Sequence, residues 1–224
     1  MSKHGISRSL LLAIAVLGIV SVLAGPATAD IVVVTGVNNQ GTDNVLLNPA
    51  TDVLTVTGTV GPSDLLTEFT SSSGSGLLNA DPSGQATVSG GTGNTDLTNL
   101  LFNLENNETF TRAVFNINAD EDGSAIINVQ GVNINGGFFE DSFVVDANGE
   151  NFFTVTAING QLMTSIELTA ADGAIFSDVR QVRIGGFGEP TGVPEPATLL
   201  LLGSGLVGVS VLSRRARGWS SRCQ

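Results

Sequence analysis

Apolar and polar residues alternate with a period of two along much of the chain, and this pattern constrains the fold more than any other feature. After a β-branched run at residues 31–35, the alternation recurs in six segments, which are residues 54–60, 112–117, 124–129, 153–157, 165–169 and 181–184. Threonine occupies many of the polar positions. A period of two with one apolar face is typical of half-buried antiparallel strands.

Five dipeptides of Asn or Asp followed by Gly separate the later segments: Asp122-Gly123, Asn135-Gly136, Asn148-Gly149, Asn159-Gly160 and Asp172-Gly173. Such dipeptides favour tight hairpin turns, because Asn and Asp tolerate a positive φ and Gly prefers it. Short strands at regular spacing between turn signals indicate a sandwich or a barrel. We therefore predict an all-β fold for residues 30–188, an antiparallel β-sandwich that is jelly-roll-like.

The stretch of residues 71–99 has a weaker pattern. It is rich in Ser, Gly, Asn and Thr, with apolar islands at Leu77-Leu78 and at residues 86–88. Segments of this composition favour loops. We expect long loops at the edge of the sandwich, and a boundary between two small β units is the alternative.

The N-terminal end has the parts of a secretory signal peptide. Lys3 and Arg8 form a positive segment, and the uncharged apolar run of residues 10–23 follows it. Ala27 and Ala29 then occupy the two positions that a signal peptidase reads. The sequence predicts a signal peptide over residues 1–29 and a mature N-terminus at Asp30, with an uncleaved membrane anchor as the alternative.

The C-terminal end has the opposite polarity. Residues 197–212 are apolar and uncharged, and the basic cluster Arg214, Arg215 and Arg217 follows. A helix of this length spans about 24 Å, against about 30 Å for a bilayer core, and the arginines favour the cytoplasmic side. We predict a C-terminal transmembrane helix, which gives the protein a contact with the membrane. A buried core helix is the alternative.

A short motif precedes this apolar run: Val193, Pro194, Glu195, Pro196, Ala197 and Thr198. Together with the apolar helix and the basic cluster it resembles the sorting signal of PEP-CTERM sorting domain-containing proteins, which are exosortase substrates. The resemblance covers residues 193–217, so residues 189–192 form a linker and residues 218–224 a C-terminal extension. It implies processing by an exosortase, a membrane cysteine transpeptidase. It also implies an inner-membrane-anchored precursor, and then a place on the cell surface or in the extracellular matrix of a Gram-negative-type bacterium, as in a biofilm.

The charge and composition of the segment between the two terminal signals restrict the functions that the protein can have. Residues 30–189 contain three arginines and twenty acidic residues, a formal charge of −17, and no His, Lys, Cys, Trp or Tyr. Nucleic acid is not expected as a partner, because phosphate binding needs clustered cations. A Ser or Thr nucleophile would lack a base. We therefore expect a non-enzymatic surface or exopolysaccharide-matrix protein, and a carboxylate-based glycosidase is a less favoured reading.

The turn of Asp120, Glu121 and Asp122 is the candidate metal site. It packs three carboxylates between two strands, and Glu140 and Asp141 are expected to approach it from a neighbouring hairpin. Calcium prefers several converging oxygen ligands. The sequence suggests calcium as a cofactor, and a calcium-dependent carbohydrate-binding module is the alternative function. A plain solvated hairpin is the competing interpretation of this turn.

The three remaining cations are Arg112, Arg180 and Arg183. They are expected either to pair with carboxylates across strands or to contact an acidic ligand, and structural ion pairing is the favoured role. Arg180 shares parity with Val182 and Ile184, which predicts that it points inward at the end of a strand.

Overall fold

A computed structural model describes residues 30–188 apart from 73, 84–85, 94–95, 133–137 and 148. In this part the chain forms fourteen β-strands, two short 3₁₀ helices (Gly61–Ser63 and Glu105–Asn107) and no α-helix. The paired strands run antiparallel, so the predicted all-β antiparallel class is confirmed. A helix long and apolar enough to cross a membrane is not found among the described residues. The predicted signal peptide, linker and C-terminal helix lie outside them.

The strands form two sheets, which we name the front sheet and the back sheet. The front sheet contains, in spatial order, β1 (Asp30–Thr35), β12 (Asn151–Ile158), β9 (Arg112–Glu121) and β14 (Ile175–Gly185), followed by β7 (Thr87–Gly90), β6 (Leu78–Asp81) and β3 (Ala50–Val53). The back sheet contains β4 (Thr55–Val60), β5 (Leu65–Thr70), β8 (Asn99–Leu104), β13 (Leu162–Ala171), β10 (Gly123–Val132) and β11 (Phe138–Val145). Strand β2 (Asp43–Leu47) joins the two, because Asp43 and Asn44 pair with β14 and Val45 pairs with β4.

A row of phenylalanine rings fills the space between the sheets. Phe102 of β8 contacts Phe115 of β9 edge to face, with ring centroids 5.8 Å apart. Phe115 contacts Phe153 at 5.9 Å, and Phe153 contacts Phe143 of β11 at 5.6 Å. Phe115 and Phe153 belong to the front sheet and Phe102 and Phe143 to the back sheet, and all four rings are fully or largely buried. The inward face that the period-two pattern predicts is therefore one shared hydrophobic core.

Four of the turn dipeptides lie between strands that do not pair with each other, so these strands do not form hairpins. Asn159-Gly160 and Asp172-Gly173 both adopt positive φ angles. However, the consecutive strands at these positions lie in different sheets: β9 and β10, which Asp122-Gly123 joins, β11 and β12, β12 and β13, and β13 and β14. The hairpin expectation is wrong at these turns, because turn chemistry fixes a local reversal and leaves the partner strand open. The turn between β10 and β11, which do pair, lies outside the described residues.

The stretch of residues 71–99 is more ordered than the sequence predicts. Its two apolar islands become β6 and β7, which pair with each other and extend the front sheet through the pairing of β7 with β14. Leu78 and Val88 are fully buried in the same core cluster as the rest of the domain. The expected long loops are wrong here, and so is the alternative of a boundary between two β units.

Candidate functional site

The predicted sorting and cleavage residues lie outside the part of the chain that the structure describes. They are Ala27 and Ala29 at the signal cleavage position, Val193, Pro194, Glu195, Pro196, Ala197 and Thr198 in the motif, and Arg214, Arg215 and Arg217 in the basic cluster.

The acidic turn ends β9, and its three side chains Asp120, Glu121 and Asp122 are exposed. The carboxylate of Asp122 accepts a hydrogen bond from the backbone N–H of Ala147 at 2.6 Å. This contact ties the turn to the segment that follows β11. Asp122 therefore has a structural partner in addition to solvent.

The expected approach of Glu140 and Asp141 to this turn is wrong. In the register of the hairpin, Gly123 pairs with Val145 whereas Asp141 pairs with Ile127, which places Asp141 about 13 Å along the strand at about 3.3 Å per residue. Among the described residues, no group of three or more acidic, His or Cys side chains is arranged to hold a metal ion. Calcium binding at this turn stays a prediction.

A groove of about 360 Å³ opens on the outward face of the front sheet, where β2 separates from β14, and we name it the front groove. Val114 and Phe152 line it, and they face away from the core because their neighbours Phe115 and Phe153 face inward. Four polar side chains also line it, namely Asn39, Asn44, Gln181 and Arg183. The rest of the described lining is apolar and consists of Val37, Val45, Leu46, Leu47, Pro82, Ala86 and Val182. The groove thus combines an apolar floor with amide groups and a guanidinium.

An irregularity in β14 shapes this groove. The register with β9 shifts between Arg180 and Arg183, and Gln181 inside the shift has a φ of 54°. A bulge of this kind bends a strand and re-aims its side chains. It also explains why Arg180 does not point inward as its parity with Val182 predicts: Arg180 pairs with Asn116 on the outward face.

Arg180 is held by a carboxylate on its own strand. Its Nε donates to Oδ1 of Asp178 at 2.7 Å and its Nη2 donates to Oδ2 at 2.8 Å. Asn118 donates a further hydrogen bond to the same carboxylate at 3.0 Å. The hydrogen bond and charge of Asp178 raise the pKa of Arg180 above its ordinary value, against the effect of partial burial. The favoured role of ion pairing is confirmed for this arginine.

Arg183 is held by neutral oxygens instead. Its Nε donates to the hydroxyl of Thr42 at 3.2 Å, its Nη2 to the carbonyl of Thr42 at 2.8 Å and its Nη1 to Oδ1 of Asn44 at 2.5 Å. Arg112 on the same face donates to the carbonyl of Gln40 at 2.7 Å. In the described part of the chain neither of these two arginines forms an ion pair. Ion pairing is therefore not their role here.

Sequence reasoning singled out the three arginines but missed the groove. Its described lining comes from the loop before β2, from β2 itself, from the connection between β6 and β7, from β9 and β12, and from the bulge of β14. No single segment carries the site as a motif. The bulge at Gln181, which has a positive φ, brings these segments of the groove together. No residue type in the sequence predicts a bulge at this position.

The fold and the groove define an all-β domain with a concave site of the size that small ligands occupy. The family comes from the tail: residues 192–216 match the model of the PEP-CTERM protein-sorting motif. The chain therefore carries a PEP-CTERM sorting motif, and the predicted sorting motif is confirmed. This motif implies passage through the membrane of a Gram-negative-type bacterium and processing by an exosortase.

No curated protein matches the chain by sequence. Among solved structures, the chain is similar to CBM29_1, a family 29 carbohydrate-binding module from Piromyces equi. The match has 14% sequence identity and a TM-score of 0.29, and covers 71% of this chain and 91% of the module. A TM-score this low does not establish a common fold.

Proposed function

We propose that the protein is a non-enzymatic component of the cell surface or of the exopolysaccharide matrix, delivered there by its sorting motif. A signal peptidase cleaves after Ala29, an inner-membrane-anchored precursor forms, and an exosortase then removes the tail. The observation that carries this proposal is the match of residues 192–216 to the PEP-CTERM motif.

The chemistry of the tail supports a removable signal. Pro194 and Pro196 lack backbone donors and keep the segment extended, which suits the groove of a protease. The apolar run of residues 197–212 holds this segment at the membrane. Arg214 and the arginines after it stop translocation.

The test is the fate of the C-terminal peptide in the native host. Glu195→Ala should leave a full-length, membrane-bound precursor that retains Trp219, because the acidic residue of the motif is lost. Glu189→Ala is the matched control, since this glutamate lies just outside the matched residues. It should be processed like the wild type. Mass spectrometry of surface protein gives the readout. A C-terminal peptide at full stoichiometry on surface-exposed wild-type protein would contradict the proposal.

We also propose that the domain is a jelly-roll-like sandwich and that it binds a ligand. The distribution of consecutive strands supports this architecture: β8, β10, β11 and β13 lie in the back sheet, and β9, β12 and β14 lie in the front sheet. The front groove supports binding in preference to catalysis, since none of its described lining residues is Asp or Glu. A calcium-dependent carbohydrate-binding module remains the alternative, with the calcium site at Asp120–Asp122 as its prediction.

A further inference from the structure

The three cations of the domain lie on one face of one sheet. Arg183 pairs in register with Val114 and Arg180 with Asn116, so both share the outward face of the front sheet. Arg112 precedes Val114 by two residues on β9 and therefore lies on the same face. The chain from residue 30 to residue 189 carries a formal charge of −17, yet its three cations share this one face, and Arg183 lines the front groove.

The guanidinium of Arg183 is oriented but not neutralised. Three of its five N–H groups donate to Thr42 and Asn44, which fixes its plane. In the part of the chain that the structure describes, one N–H on each terminal nitrogen has no acceptor. Carbonyl, hydroxyl and amide oxygens satisfy hydrogen bonds but carry no formal charge. A planar guanidinium with two free donors matches a carboxylate, which accepts two parallel hydrogen bonds.

The rest of the groove suits a ligand with one apolar face and several hydroxyl groups. Phe152 and Val114 supply apolar surface, and the amides of Asn39, Asn44 and Gln181 supply both donors and acceptors. The volume of about 360 Å³ lies at the lower end of the range for small-ligand sites. Nucleic acid does not fit this site, because two unpaired arginines are too few to offset the surrounding acidic charge.

We propose that the front groove binds an acidic saccharide, a sugar unit bearing a carboxylate within a polysaccharide chain. Arg183 holds the carboxylate, Phe152 packs against the face of the sugar ring, and the amides of Asn44 and Gln181 bind its hydroxyl groups. Arg112 contributes positive potential beside the groove. This inference rests on the proposed matrix function, since a matrix protein meets polysaccharide, and an acidic peptide is the competing ligand that the test separates.

The experiment compares two probes that differ only at the carboxyl group, which is ionised in one and a neutral methyl ester in the other. Isothermal titration calorimetry of the full-length protein in detergent uses tetragalacturonic acid and its fully methyl-esterified form. The wild type should bind the acid at least about tenfold more tightly than the ester, and the preference should fall with added salt. Equal binding of both probes, or no binding of either, would overturn the proposal. Tighter binding of a hexa-aspartate peptide than of the acid would overturn it as well.

Variants test whether the preference for the acid arises in the front groove. Arg183→Gln should abolish the preference for the acid, and Gln181→Glu should do the same by repulsion, without touching the residues that Arg183 anchors. The control is the double variant Asp178→Asn with Arg180→Gln, which removes an ion pair on the same face and leaves the net charge unchanged. It should keep the preference. Loss in the control, or retention in both Arg183→Gln and Gln181→Glu, would place the site elsewhere.

Failure of this inference is distinguishable from failure of the proposed function. If wild-type protein ignores both sugars while Glu195→Ala still traps the precursor, the groove assignment is wrong and the sorting function stands. If the precursor is processed normally in Glu195→Ala while the acid preference is present, the sorting proposal fails and the site stands.

Discussion

The two sheets have the same alternation but differ in their cations, since all three arginines of the domain lie on strands of the front sheet. The front sheet presents the three arginines of the domain, and one of them is matched by Asp178. The back sheet presents Glu68, Glu140 and Glu167, and none of the three arginines lies on its strands. Glu140 and Glu167 flank Asn128 in register on either side. A net charge taken over the whole domain hides this division.

The difference shows that the sheet with the cations is also the sheet with the groove. On the front sheet, Arg112 and Arg183 hold the loop before β2 through the carbonyls of Gln40 and Thr42, and a groove results. On the back sheet, large apolar side chains such as Phe138 and Val144 stand exposed at 53% and 74% on the edge strand β11. On the front sheet the arginines therefore hold the loop before β2 in place, whereas on the back sheet the carboxylates keep the surface solvated.

The largest expected effect tests whether the two faces rest on one core. Phe115→Ala removes the ring that contacts both Phe102 of the back sheet and Phe153 of the front sheet. The free energy of unfolding should fall by about 3–5 kcal/mol, with both sheets melting in one transition. Urea denaturation followed by circular dichroism measures it. Phe138→Ala is the control, since its exposed ring should cost less than about 1 kcal/mol. Two separate transitions would show that the sheets are independent units.

The next prediction compares two buried threonines, one in each sheet, and its expected effect on stability is smaller. The buried hydroxyl of Thr154 in the front sheet accepts from the N–H of Asn38 at 3.0 Å and donates to the carbonyl of Gly36 at 2.9 Å. The buried hydroxyl of Thr67 in the back sheet has no partner in the described part of the chain. Thr154→Val should therefore destabilise by about 1–2 kcal/mol, whereas Thr67→Val should stabilise by about 1 kcal/mol. The same sign for both variants in urea denaturation would contradict this comparison.

The smallest expected effect is a loss of folding stability at acidic pH, caused by a carboxylate in the front sheet. The backbone N–H of Thr92, and then its hydroxyl, donate to the carboxylate of Asp52 and hold its pKa below the ordinary 3.8. A carboxyl with a lowered folded-state pKa stabilises above its unfolded pKa, and this contribution is lost as the pH falls through the folded value. Wild-type stability should therefore fall on acidification below about pH 4, and less so in Asp52→Asn. Urea titrations at pH 6 and pH 3 measure this, with Glu68→Gln on the back sheet as the control. An unchanged pH profile in Asp52→Asn would contradict it.

The sequence predicted the class of the fold and about half of its strands. The long alternating segments became β4, β9, β10, β12, β13 and β14, and the β-branched run became β1. The missed strands were short, as β3 and β6 are, or lacked a clean alternation, as in the Asn99–Leu104 strand. Whether a turn joins partners was also not predictable, because partner choice depends on packing between the sheets and not on turn residues.

The site was less predictable than the fold. Parity placed Arg180 inward, and only the register shift after it corrects that placement. Phe152 lies just before the alternating segment of residues 153–157, and its side chain lines the groove, whereas that of Phe153 fills the core. The sorting motif was predictable because its function depends on a linear segment that an enzyme reads. A groove assembled from distant strands has no such linear signature.

The pairing of early strands with late ones sets the order in which the domain is completed. Strand β1 pairs with β12, and β2 pairs with β14, so Thr42 and Arg183 meet across 141 residues of sequence. Contacts of such sequence separation form slowly, on the scale of milliseconds to seconds. The front sheet closes only when its last strand, Ile175–Gly185, is available, and the motif at residues 192–216 follows that strand closely. Along the chain, the last strand that the fold needs and the sorting motif are therefore consecutive segments, and the strand is synthesised first.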